Sequence, residues 1–291
     1  MVARTLFISA VLAVASVAFG PPASAQDTPY FVTYSHHLEE PGSLEIELSS
    51  NYATQRAGND FIAPWIEFEY GAKAWWTTEL YLDGQRTFNN GPLFTGWRFE
   101  NRFRPLMKEH WINPVLYVEY EDINGADKNM LEVVGFDGQA DHAVRNAVSS
   151  REHAHEIETK LILSSDLKGW NFSENFVAEK NLGHQPWEFG YAVAASRPLR
   201  LAATPSPCNF CRENFIAGIE MYGGLGTTDS ATLSETSHYL APILAWQMPS
   251  GVTLRLSPGW GLTNTSHRFL LRWGLTYEIS GFGHKVRKLF R

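Results

Sequence analysis

The sequence has few of the features on which small exported proteins and nucleic-acid-binding proteins usually depend. It contains two cysteines in 291 residues, which excludes a fold built on several disulfides. Its 24 Lys and Arg residues are outnumbered by 31 Asp and Glu residues, so it lacks the basic excess that nucleic-acid binding requires. After residue 25, no apolar run approaches the roughly 18 residues of a membrane helix. The mean hydropathy is −0.23, which also excludes a polytopic helical membrane protein.

The first 25 residues have the pattern of a secretory signal. Arg4 supplies the positive charge, Leu6 to Phe19 form an almost unbroken apolar stretch, and Ala23-Ser24-Ala25 form a small-residue cleavage site. The stretch has about 14 residues, which is short of the roughly 20 that span a bilayer. We therefore expect cleavage before Gln26 and export of the mature chain.

From residue 43 onward, apolar and polar residues alternate. Leu44, Ile46 and Leu48 alternate with Glu45 and Glu47 in the first such segment. Because successive side chains of a strand point to opposite faces, each segment has one apolar and one charged face. Twelve segments have this pattern, at about 43–53, 60–72, 74–84, 93–104, 112–122, 154–165, 168–180, 187–200, 212–223, 237–248, 251–261 and 267–282. Their lengths exceed the usual strand of about 5–6 residues and suit a tilted strand that crosses a bilayer.

The connections alternate between short and long, as they do between the two ends of an outer-membrane barrel. Two connections, 104–112 and 200–212, are longer than this pattern predicts. A soluble β-sandwich would also show alternation, but strand length, twelve-fold repetition, the signal and the loop asymmetry favour a barrel. The sequence predicts an all-β protein with a single antiparallel transmembrane barrel of about twelve strands. The predicted regions are a signal peptide at 1–25, a periplasmic lead at 26–42, the barrel at 43–282 and a basic tail at 283–291.

The last segment, Phe269 to Phe282, resembles the closing strand of bacterial outer-membrane β-barrel proteins, which usually end on an aromatic residue. The layout of 43–282 is similar to porin-like and transporter-like barrels, including those grouped with phenol-degradation proteins. This resemblance implies a location in the bacterial outer membrane, with membrane lipid, the barrel-insertion machinery and small solutes or cations as partners. One departure is the basic tail: either it lies in the periplasm, or Phe290 is the terminal aromatic residue.

The charged face of the strands is expected to line the lumen, because a charge on the lipid face costs about 2–4 kcal/mol for Arg or Lys at mid-membrane. This face has twelve acids and six bases. The residues expected to determine selectivity are Glu67, Glu69, Arg98, Glu100, Arg102, Glu119, Glu121, Glu156, Glu158, Glu220, Arg268 and Arg272. The other lumen charges are Glu45, Glu47, Glu79, Glu278, Lys160 and Arg255. Glu119 and Glu121 are predicted to lie at the constriction, where the 122–153 loop could fold inward.

These charges favour a narrow, acid-lined channel or binding site for small solutes, and the protein is not expected to be an enzyme. One alternative is a structural or surface-interaction barrel, whose ion pairs fill the lumen. Another is a lipid hydrolase with a cross-strand Ser/His pair from the two Thr-Ser-His sequences at 236–238 and 265–267. Neighbouring Ser and His residues on a strand point to opposite faces, so Ser237 cannot use His238.

Histidines and cysteines are the remaining candidates for chemistry. His36 and His37 precede the first strand, and His142, His153 and His155 flank the long loop. No H-E-x-x-H or other compact ligand spacing is present, so we expect solvated histidines and neither a metal nor another cofactor. Cys208 and Cys211 lie in a connection, and an oxidising compartment favours a local disulfide between them.

Overall fold

The computed structural model describes residues 28–55, 59–87, 90–140, 145–183, 185–203 and 208–289. The predicted signal peptide, the cleavage site before Gln26, His142 and Phe290 lie outside these ranges.

Within the described ranges, twelve antiparallel strands form a closed barrel in which β1 pairs with β12. The predicted fold is therefore confirmed, and each strand lies within a few residues of its predicted segment. The strands are β1 (Leu44–Ala53), β2 (Phe61–Lys73), β3 (Trp76–Thr87), β4 (Leu93–Phe103), β5 (Asn113–Asn124), β6 (His153–Leu167), β7 (Trp170–Asn181), β8 (Trp187–Pro198), β9 (Phe215–Thr227), β10 (His238–Gln247), β11 (Val252–Gly261) and β12 (Phe269–Ile279).

Helices are few and short in the described residues. Helix α1 (Asn146–Ser149) lies in the loop between β5 and β6, a 3-10 turn (Arg212–Asn214) precedes β9, and α2 (Phe282–Leu289) follows β12. None of these helices is long and apolar enough to cross a membrane. Helix α2 contains most of the predicted basic tail, and the backbone N–H of Gly283 donates to the carbonyl of Gly42 at 2.9 Å.

The alternation in the sequence determines the two faces of the barrel. Leu48 and Phe99 are exposed on the outside, whereas their neighbours Glu47 and Glu100 are buried inside. Most of the large exposed side chains of the strands are apolar, including Leu116, Leu161 and Leu275. A closed barrel satisfies every backbone hydrogen bond without an open edge, so this apolar outer surface is the one that faces lipid.

Candidate functional site in the barrel lumen

The described part of the predicted periplasmic lead, residues 28–42, lies mostly inside the barrel. The backbone N–H groups of residues 31–33 all donate to Glu220 Oε1 on β9, at 2.8–3.1 Å. The N–H of Tyr34 donates to Asn175 on β7 at 2.6 Å, and its hydroxyl donates to Glu100 on β4 at 3.1 Å. Because these partners come from separated parts of the wall, the lead lies across the lumen. Its short stretch of polar and aromatic residues has no periodicity that would predict this placement.

A second segment, residues 125–140 of the loop between β5 and β6, enters from the opposite end. Arg272 on β12 donates to the carbonyl of Met130 at 2.7 Å. Val134 and Gly135 form isolated β-bridges to Gly190 and Gly226 on the wall. A Cβ atom at Gly190 would lie 2.3 Å from the carbonyl oxygen of Val133, so this close approach requires glycine. The inward fold of the long loop thus agrees with the placement expected from the sequence.

The two inserted segments meet in the middle of the barrel. Phe31 and Val32 of the lead belong to one buried apolar cluster with Met130 and Leu131 of the loop. A cavity of about 320 Å³ lies in the periplasmic half of the lumen, and a cavity of about 410 Å³ lies in the outer half. The lumen of this conformation is therefore divided into two chambers by an apolar contact.

Arg98 is the centre of the outer acidic network. Its guanidinium contacts Asp83 at 3.0 Å, Glu121 at 3.0 Å, Asp127 at 3.1 Å and Glu132 at 2.8 Å. Glu119 lies 3.7 Å from the same guanidinium. The arginine side chain is only 2% exposed, so one buried cation holds five carboxylates from two strands and the loop. Burial alone would raise the pKa of Glu132, but Arg98 and the Lys160 ammonium hold that pKa below its usual value.

A second network lies in the inner half of the barrel. Arg102 contacts Glu69 at 2.5 Å and Glu100 at 3.0 Å, and it also pairs with Glu79. Lys160 contacts Glu158 at 2.8 Å. Lys160 also lies 4.7 Å from the ring centre of Tyr34 and 4.2 Å from that of Tyr117. These cation–π contacts connect the lead to the charged wall.

Eleven of the twelve predicted selectivity residues are buried or half-buried inside the barrel. Their effect on selectivity stays a prediction. The placement of Arg268 was wrong: β12 begins at Phe269, so Arg268 lies in the preceding connection, where it is exposed.

The sequence reasoning missed several further acids of the lumen, among them Asp83, Asp127, Glu132, Glu179 and Glu188. Asp83 lies on the same face of β3 as Glu79, so the alternation of the strand could have identified it as a lumen residue. Asp127 and Glu132 belong to the loop, where alternation gives no information. Glu179 is directly opposite Glu188 in the β7–β8 pair, and no ion pair involves either of them among the described residues.

The two Thr-Ser-His sequences do not form a nucleophile–base pair. Ser266 Oγ bonds to the backbone N–H and carbonyl of His238, both at 3.0 Å, and not to its ring. The ring of His238 instead contacts Tyr191 at 3.0 Å and Thr236 at 3.0 Å. The ring of His267 contacts the carbonyl of Thr54 at 2.9 Å. These rings are thus engaged by groups other than the two serine hydroxyls.

The histidines differ from the expectation of solvated side chains. His153 and His155 are exposed, as expected, but His36 is completely buried and His37 is half-buried. Burial and the neighbouring His37 lower the pKa of His36. Insertion of the lead therefore buries His36 in the barrel, where Glu109 of the connection between β4 and β5 lies against its ring.

Cys208 and Cys211 form a disulfide in the connection between β8 and β9. We expect Cys208→Ser to leave barrel folding intact, because this short bridge lies outside the strands and closes a loop of few residues. Mass spectrometry after alkylation should find no free thiol in the wild type. Heat-modified gel mobility should then show the same folded fraction in the variant. A variant that fails to fold would contradict a merely local role.

The closed barrel, its apolar outer surface and its charged interior define a bacterial outer-membrane β-barrel protein. No protein-family model and no curated protein matches the chain. An outer-membrane channel from Pseudomonas putida F1 has a similar fold, with a TM-score of 0.53 and 10% identity over 87% of this chain and 100% of that one. A NanC porin gives a TM-score of 0.49 at 10% identity, over 80% of this chain and 100% of its own. A KdgM porin gives 0.46 at 6% identity, over 79% and 98%.

At such low identity these similarities show the fold alone. The predicted class of outer-membrane barrel and its membrane location agree with them. The narrower resemblance to phenol-degradation proteins stays a prediction.

Proposed function

We propose that the protein is a porin-like channel for small cationic or polar solutes, in which the two inserted segments restrict the path. The observation that supports this proposal most strongly is the pair of chambers, whose walls hold far more carboxylates than bases. The outer chamber is lined by Glu121, Glu156, Glu179 and Glu188, with Arg98 as the strand-borne cation. Rings of carboxylates attract cations into a pore. Membrane lipid and the insertion machinery remain predicted partners.

Cation preference can be tested at the acids that hold no structural ion pair. Glu179→Gln together with Glu188→Gln should lower the permeability of cations relative to anions by several-fold. A charge at about 4 Å contributes about 1 kcal/mol of attraction even in water, and 1.4 kcal/mol is a tenfold change in an equilibrium. Reversal potentials in a salt gradient across planar bilayers measure the ratio.

The control is Asp229→Asn, since Asp229 is an exposed acid in the loop between β9 and β10 and its charge lies outside the chambers. The control should keep the wild-type reversal potential. If the double variant also keeps it, the outer acids do not select the ion. If the wild-type protein shows no conductance under any condition, the channel proposal is wrong and the structural barrel is favoured.

A further inference from the structure

Three potential metal ligands, His36, His37 and Asp166, meet at the periplasmic end of the lumen, and a fourth, Glu109, contacts His36. His36 and His37 come from the lead, Asp166 lies near the end of β6, and Glu109 lies in the unexpectedly long connection between β4 and β5. His36 Nε2 is 3.0 Å from Glu109 Oε2 and 3.8 Å from Asp166 Oδ2. His37 Nε2 is 2.9 Å from the same Asp166 oxygen. One nitrogen of each histidine and one oxygen of Asp166 lie within 4.8 Å of one another.

These separations suit a tetrahedral ion. Zinc binds histidine nitrogen and carboxylate oxygen at about 2.0–2.2 Å, which places neighbouring ligand atoms of a tetrahedron about 3.3–3.6 Å apart. The three contacts above lie on both sides of this value, so small side-chain rotations are enough to bring His36, His37 and Asp166 to one ion. Glu109, which lies against His36, is the candidate fourth ligand and would have to move towards the other two. Calcium and magnesium prefer sets made of oxygen alone, whereas imidazole nitrogen favours zinc and its neighbours.

The surroundings of His36 add independent support. Its side chain is 0% exposed, and its Nε2 atom has no partner with hydrogen-bond geometry among the described residues, even though Glu109 is close. Its other ring nitrogen, Nδ1, lies 2.8 Å from Ser164 Oγ. Ser164 is itself held by Asn171 and Ser173, at 3.2 and 3.0 Å. With Nε2 directed at a metal, Nδ1–H donates to Ser164, and a partner of this kind is what orients a metal-bound histidine.

We propose that His36, His37, Asp166 and Glu109 form a zinc site that fastens the inserted lead to the barrel wall. Two ligands belong to the lead and two belong to the wall, so one ion crosslinks the two parts. Glu109 Oε1 pairs with Arg104 at 2.5 Å, which leaves Oε2 facing His36. Asp166 is also held, through a 2.7 Å hydrogen bond from Asn171 to Oδ1, which leaves Oδ2 facing both histidines. His37 also lines the inner chamber, but zinc binding at this site does not require the protein to conduct.

Zinc binding is tested on the full mature protein in detergent, after chelation and dialysis. Isothermal titration with Zn²⁺ should give one tight site per chain. His37→Gln should abolish the tight site, and this residue is partly solvated, with 26% of its side chain exposed, so folding should survive. Ser164→Ala should weaken binding by about 10–100-fold, the usual effect of removing a group that orients a ligand.

The matched control is His153→Gln with His155→Gln. This exposed pair lies 3.2 and 3.8 Å from Asp122 and belongs to no cluster of three potential metal ligands among the described residues. It should leave the tight site unchanged. Heat-modified gel mobility confirms that each variant is folded. Absence of a tight site in the wild type, or undiminished binding in folded His37→Gln, overturns the proposal, and so does loss of the site in the control alone.

Discussion

A barrel that lacks residues 28–38 should conduct ions several-fold better than the full-length protein. Eight strands leave room only for side chains, and 16–18 strands enclose an aqueous channel. A twelve-stranded barrel lies between these limits, so whether it conducts depends on what fills it. The deleted residues include Tyr30, Phe31, Val32 and His36, all buried in the lumen. Water would take their place, and the inner chamber would be continuous with the space beside the loop at 125–140.

The strands should tolerate this deletion, because the hydrogen-bond partners of the lead on the wall are polar groups that water can satisfy, and the apolar contact that is lost lies inside the lumen and not between strands. Glu220 would exchange three backbone N–H donors for water, and Arg255 would lose its 2.7 Å hydrogen bond to the carbonyl of Tyr30. Arg255 would keep its ion pair with Glu47. An exchanged hydrogen bond changes stability by only about 0.5–1.5 kcal/mol.

Single-channel recording in planar bilayers measures the effect of the deletion. As a control, the mostly exposed residues 229–234 are replaced by glycine and serine at the same length, which alters an outer loop but not the lead. That control should keep the wild-type conductance. An equal conductance for the deletion and the wild type, with both proteins folded, would show that the lead does not limit the path.

Alternation was enough to predict the strands, because a period of two has a single physical meaning in a barrel wall: one face contacts lipid and the other does not. Thus Glu45, Glu47 and Glu100 could be placed inside from the sequence alone. The same rule failed at Arg268. Strand β12 begins at the next residue, Phe269, and the side chains of a connection do not alternate between the two faces of the wall.

The filling of the lumen could not be predicted, because neither inserted segment is periodic. The lead at 28–42 is a short stretch of polar and aromatic residues, and its position depends on partners such as Glu220 that are almost 190 residues away in the chain. The loop at 125–140 is placed by close backbone approaches at Gly190 and Gly224. Such approaches cannot be recognised from the sequence alone. For the same reason the grouping of His36 with Asp166, 130 residues apart, was missed.

Replacement of Arg98 by methionine should produce the largest loss of stability of any single substitution in the lumen. Methionine keeps much of the length and removes the charge. Asp83, Glu119, Glu121, Asp127 and Glu132 would then lose their shared cation. Removal of one partner from a buried ion pair typically destabilises a protein by about 3–5 kcal/mol, because the remaining charge stays buried and uncompensated.

Urea titration of the folded barrel in detergent, or in a thin-bilayer lipid, measures this loss in Arg98→Met. Arg268→Met is the control: it removes the same charge from an exposed position that the sequence had placed in the lumen, and surface substitutions usually change stability by no more than about 0.5 kcal/mol. Addition of Glu132→Gln to Arg98→Met should recover part of the loss, since it removes a buried charge whose one remaining cation is Lys160 at 3.7 Å.

The pH dependence of the Arg98→Met variant gives an independent test of the cause. In the wild type, Arg98 and Lys160 hold the pKa of Glu132 below its usual value. Without Arg98, only Lys160 opposes the effect of burial, so the folded-state pKa of this carboxyl rises relative to the wild type. The folded variant then binds this proton more readily than the folded wild type does, so the variant should gain stability relative to the wild type as pH falls. If the variant's loss of folding stability does not change with pH, its cause is the lost packing of the arginine side chain and not the unpaired charge.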